Sequence, residues 1–131
     1  GCRVIFLDHN IAEDQVELLR QERIRCQQIG IDVGRPEWDD FQEILRYLHQ
    51  QKQPTLISRD LDFFHPRLRH KNYALVVLAV PIRETAIWTK RFLRHPGFRT
   101  KASRCGKVIH LSPKVITWWE IGNKQKQHLL W

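Results

Sequence analysis

The sequence predicts an α/β fold: a central, mostly parallel sheet covered by helices on both faces, closed by a C-terminal hairpin. Two observations carry this. Short apolar runs alternate along the chain with segments of helical period, the pattern of successive βαβ units. The runs are also continuous rather than alternating, as in strands buried on both faces.

The elements follow in order. "RVIFLD" (3–8) reads as the first strand, residues 11–27 as a helix, and "IGIDV" (29–33) as a short strand. In the next helix, 38–51, Phe41, Ile44, Leu45 and Leu48 recur at i, i+3, i+4 and i+7, a stripe that faces a core. "PTLIS" (54–58) and "YALVVLAV" (73–80) are strands, with a helix over 83–94. "KVIHL" and "VITWWEI" flank the turn-forming Ser112-Pro113-Lys114 and read as the hairpin. Asn10 with Glu13, Asp39 with Gln42 and Asp40 with Glu43 have the spacing of capping boxes. Residues 1–121 are read as one domain, and 122–131 as a tail that is polar until "LLW", either frayed or docked on a partner.

At 131 residues, 42% of them hydrophobic, the chain can bury one substantial core. The opening "GCRVIFLDHN" turns polar too soon for a signal-peptide core, and the eight residues of "YALVVLAV" fall short of the roughly 20 that a membrane span needs. A soluble, cytoplasmic protein with no membrane partner is expected. Three widely spaced cysteines, with no CxxC, suggest neither a disulfide framework nor a zinc site.

Charge divides along the chain. Residues 1–62 carry 8 Lys+Arg against 12 Asp+Glu, whereas residues 63–131 carry 14 against 2. An acidic half suited to cations is joined to a basic half suited to a polyanion, which points to nucleic acid. Arg67, Arg69 and Lys71 form one basic cluster, Lys90, Arg91 and Arg94 a second on the 83–94 helix, and Arg99, Lys101, Arg104 and Lys107 a third in a loop. The tryptophans among them are better read as core or interface than as base-stacking platforms.

Within the acidic half, "LISRDLDFF" places Asp60 and Asp62 directly behind an apolar strand. Asp8 ends the first strand and Asp40 begins the intervening helix. In an open parallel sheet ligands gather beyond the carboxyl ends of the strands, an edge all four acids can reach. Carboxylates that share a crevice repel unless a cation neutralises them, and hard divalent ions such as Mg²⁺ or Mn²⁺ take such oxygen ligands. Asp39 and Glu43 compete with Asp40 as the second acid. His65 and His70 have no metal-ligand spacing and are read as surface histidines.

"FLDHNI", an acid at the helix start in "WDDFQEIL", and "LISRDLDFF" together resemble the short PIN-like nuclease family, over roughly residues 3–82. The resemblance implies a PIN-like three-layer fold and a metal-dependent endoribonuclease of the kind found among VapC-type toxins. It places Asp8, Asp40, Asp60 and Asp62 as both catalytic and metal-binding residues around Mg²⁺ or Mn²⁺. Asn10 and Ser58, the latter where the family prefers Thr, support them. Water attack on RNA would leave 5′-phosphate and 3′-hydroxyl ends. RNA is the implied partner, with a cognate antitoxin protein if the chain is a toxin; a homodimer is a further expectation. His9 replaces the family's Glu, so a module that binds RNA or a protein without cleaving is the alternative. Aspartyl-phosphate chemistry at Asp8 is disfavoured, because Asn10 stands where a phosphatase pattern needs a second Asp.

Overall fold

A computed structural model describes residues 4–38 and 41–131. One seven-stranded sheet runs through the molecule, built from β1 (Ile5–Leu7), β2 (Cys26–Gln28), β3 (Thr55–Ser58), β4 (Ala74–Leu78), β5 (Lys107–Leu111), β6 (Val115–Glu120) and β7 (Gln127–Leu130). The strand order is β2-β1-β3-β4-β5-β6-β7. The five strands from β2 to β5 pair in parallel, while β6 and β7 are antiparallel to their neighbours.

The helices are α1 (Glu13–Gln21), α2 (Phe41–His49), α3 (Thr85–Leu93) and the single turn α4 (Lys101–Arg104). Alternate residues of each strand feed two cores, as the side-chain period of two requires. Ile5, Leu7, Ile57, Val76 and Ile109 pack with Leu19 of α1 and Phe92 of α3. Phe6, Leu56, Leu75 and Val108 pack with Ile44 and Leu48 of α2 on the other side. The sheet is therefore a middle layer between helices, as its continuous apolar strands require.

Most of the expected elements hold in type, several with shorter bounds. The first helix stops at Gln21 rather than 27, because Arg23 takes a positive φ of 62° and turns the chain into β2. "IGIDV" is not a strand. Gly30 sits at φ 88°, its N–H bonds Val33 O at 2.7 Å, and only one bridge joins Ile29 to Val33. The strand there is instead Cys26-Gln27-Gln28, polar because β2 lies at the sheet edge and leaves Gln27 exposed. The basic segment expected as a loop contains α4, capped reciprocally by Thr100 and Ser103.

The β5–β6 hairpin forms, closed by the Ser112 N–H on Val115 O at 3.1 Å. The last ten residues are neither frayed nor loose. Gln127–Leu130 adds β7 to β6, and the Trp131 ring rests 5.2 Å from that of Trp88 on α3. Trp88 and Trp118 pack against the first core, as the core-or-interface reading expected. No helix among the described residues is long and apolar enough to cross a membrane.

Candidate functional site

The chain leaves β1 toward β2 on one side and later returns to β3 on the other. The loops after β1 and β3 therefore diverge at their carboxyl ends, the position where open α/β sheets hold ligands. Leu7 is in register with Ile57, so Asp8 and Ser58 stand side by side there. The Asp8 N–H extends the ladder to Ile57 O at 2.9 Å.

Asp8 is only 2% exposed, and each of its carboxylate oxygens meets a donor. Ser58 Oγ donates to Asp8 Oδ2 at 2.6 Å, and the His9 backbone N–H donates to Oδ1 at 2.8 Å. The His9 imidazole Nδ1 also lies 2.8 Å from Oδ1, with the ring half exposed. These donors offset the cost of burying a carboxylate. Ser58 Oγ in turn accepts from the Asp60 N–H at 3.0 Å, so one hydroxyl joins the two acidic segments. Asp60 caps the 3-10 turn Leu61–Phe63 by accepting from the Asp62 N–H at 3.0 Å. Asp62 is exposed on that turn.

Asn10 belongs to the site but does not cap α1 as expected. The helix starts after Ala12 with no side-chain cap, and Asn10 Oδ1 accepts from the Arg59 N–H at 3.3 Å. The Arg59 guanidinium donates to Val80 O at 2.7 Å and Thr85 Oγ1 at 3.3 Å, which ties the β3 loop to the loop that enters α3. Two buried glutamines that sequence reasoning missed complete this lacing. Gln28 Nε2 donates to Asp8 O at 3.2 Å and Ile11 O at 2.9 Å, fixing the loop after β1. Gln15 Oε1 accepts from the Ala86 N–H at 2.9 Å, joining α1 to α3. Neither had a sequence signal, since a glutamine aimed at distant backbone resembles any other.

Asp8, Ser58, Asp60 and Asn10 are thus brought together. Asp40 and its competitor Asp39, with their two capping boxes, lie outside the described residues. Glu43 is placed away from this knot, in a groove with Trp38 and Arg46. Among the described residues no three of His, Cys, Asp and Glu form a group that could hold a metal. Two carboxylates with retained waters are a donor set that Mg²⁺ accepts; Ser58 ties the Asp8 carboxylate to the backbone N–H of Asp60, whose own carboxylate accepts from the Asp62 N–H.

The basic residues separate by role. Arg67 and Lys71 are exposed. The Arg69 guanidinium donates to Pro66 O, Glu120 O and Asn123 O at 2.7, 3.0 and 2.8 Å, which straps the chain to the end of β6. On α3 and just after it, Lys90 and Arg94 lie 3.2 and 3.9 Å from the Glu22 carboxylate, while Arg91 stacks over Trp88 and Trp131 at 5.1 and 5.0 Å. Arg104, 6% exposed, is bound to Thr55 Oγ1 and Phe98 O at 2.9 Å each, and burial lowers its pKa. His65 and His70 each accept from a nearby backbone N–H, of Arg67 and Asn72.

Comparison of the chain with family models, with curated proteins and with solved structures finds no match.

Proposed function

We propose that this protein is a Mg²⁺- or Mn²⁺-dependent endoribonuclease with a PIN-like site at the carboxyl ends of β1 and β3. The observation that carries the reading is the linkage of Asp8 to Asp60 through Ser58 at the sheet's switch point, in a chain whose other half is strongly basic. Asp8 and Asp60 would hold the ion, with Asp62 and Asp40 as further ligands. When bound, the ion supplies an acidified water and charge stabilisation for a phosphoryl group.

The protein's own residues do the positioning. Ser58 sets the Asp8 carboxylate and the Asp60 backbone in one frame, and the Asn10–Arg59 bond holds the two loops together. Arg67 and Lys71, exposed just beyond the acidic pair, supply sequence-independent attraction for the RNA backbone. Arg69 is committed to carbonyl groups and serves the fold first. Lys90 and Arg94, shared with Glu22, attract RNA more weakly, with Arg91 beside them.

One observation favours a second reading. Both Asp8 oxygens already have donors, Ser58 Oγ and the His9 N–H, and the His9 imidazole lies 2.8 Å from one of them where the family carries a carboxylate. Such a satisfied acid suits a domain that binds RNA or a protein without cleaving. Incubation with single-stranded and structured RNAs in Mn²⁺, wild type beside Asp60→Asn, separates the two. The nuclease reading expects cleavage lost in the variant, since Asn keeps the capping oxygen but removes the charge. Equal cleavage by both proteins would refute it, and RNA binding with no cleavage and no calorimetric Mn²⁺ uptake would select the binding module.

A further inference from the structure

A groove of about 280 Å³ opens beside α2, lined among the described residues by Arg35, Glu37, Trp38, Glu43, Arg46, Tyr47 and Gln50. Its floor is aromatic and fixed. Trp38 and Tyr47 lie 5.9 Å apart at 55°, and Tyr47 packs edge-on against Phe6 of β1 at 5.6 Å. The Trp38 ring lies against Gly34: a Cβ there would come within 2.7 Å of two ring carbons, and Gly34 itself has a φ of 67°. A Cβ on Gly34 would also lie 3.5 Å from Ile29, the residue after β2, so this side of the groove borders the end of the edge strand.

The walls carry two guanidiniums and two carboxylates, which balance. A phosphate is therefore not the group this groove selects. A planar, uncharged ring with both donors and acceptors on its rim is, and an aromatic floor gives it a stacking surface. Among nucleobases guanine alone presents two adjacent donors, N1–H and N2–H₂, for a carboxylate, and two adjacent acceptors, O6 and N7, for a guanidinium.

We infer that this groove takes an unpaired guanine base of single-stranded RNA, stacked on Trp38 and held at its edges by Glu37 or Glu43 and by Arg35 or Arg46. The inference rests on RNA being the partner proposed above, and it makes Glu43 a candidate for base recognition rather than for the metal.

The test uses the whole chain with EDTA present, so that binding is read without cleavage, by anisotropy of labelled single-stranded RNAs. The RNAs differ only at one central position, which carries guanine, adenine, cytosine, uracil or no base. The guanine RNA should bind about tenfold more tightly than the abasic one, as one stacked and hydrogen-bonded base provides, and more tightly than the other three. Trp38→Ala should erase the difference while leaving the residual charge-driven affinity. Arg46→Ala, at an exposed side chain remote from the core, should reduce the guanine preference with the melting temperature unchanged. Equal affinity for guanine and abasic RNA, equal affinity for all four bases, or a preference that survives both substitutions would overturn the assignment. Failure here leaves Mn²⁺-dependent cleavage intact, whereas failure of the nuclease reading leaves base-dependent binding in EDTA intact.

Discussion

Ser58 shows how much rests on one hydroxyl. It donates to the buried Asp8 carboxylate and accepts from the Asp60 N–H, so its removal leaves Asp8 Oδ2 without its donor and one loop without its tie. Ser58→Ala should cost about 1–3 kcal/mol of stability, the range for a buried acceptor that loses its partner. Urea denaturation checks this, and a shift within error would mean that water replaces the hydroxyl. At this scale the sequence was a good guide to which polar residues stand at the strand ends and a poor one to their partners. Asp8, Ser58, Asp60 and Asn10 all stand out by position behind apolar runs. That Asn10 would meet Arg59 instead of capping α1, and that His9 would fold back on Asp8, depends on loops that meet only after the sheet has formed.

Among the elements, α2 and β7 form opposite cases. Leu48 of α2 is fully buried against β1, β3 and β4, so Leu48→Ala should destabilise the protein by about 2–5 kcal/mol. Leu130 of β7 is 75% exposed on an edge strand, and Leu130→Ala should change stability by less than about 0.5 kcal/mol. Parallel denaturant titrations of the two variants compare them directly, and similar losses would mean that the β7 face is covered. The i, i+3, i+4, i+7 stripe made α2 legible because burial on one helix face imposes that period. The same logic misled at β2, where the edge position frees Gln27 from any apolar requirement while "IGIDV", more apolar, is bent by Gly30. Apolarity marks strands that have two neighbours and is silent on those with one.

Across the whole molecule the sheet order preserves the charge division of the chain. The acidic first half forms the β2-β1-β3 side and the basic second half the β4-to-β7 side, so the charge seam falls beside the candidate site. Stability of the whole should also respond to pH through His110 on β5. Half buried and 5.1 Å from the Phe64 ring, His110 has a pKa lowered from its ordinary 6.5, by desolvation first and then by Lys126. Its folded pKa lies below the unfolded one, so between the two values the unfolded chain binds more protons. The stability is complete above about pH 6.5 and is lost as pH falls toward the folded value. The melting temperature should decline with acidification through this window, and His110→Gln should flatten part of the decline. An unchanged pH profile in the variant would place the titration elsewhere.

By itself the sequence determined the α/β class, the mostly parallel sheet, the C-terminal hairpin and the residues offered at the carboxyl ends of the strands. Each of these is written in local periodicity and in charges a few residues apart. Only the tertiary structure decided which strand lies at the edge, that β1 and β3 pair and set Asp8 beside Ser58, that Gln28 and Gln15 lace the adjoining loops, that the last residues become β7, and that Trp38, Glu43 and Arg46 share a groove. Those outcomes are contacts between residues distant in the chain, selected by the packing of the two cores, and no local pattern records them.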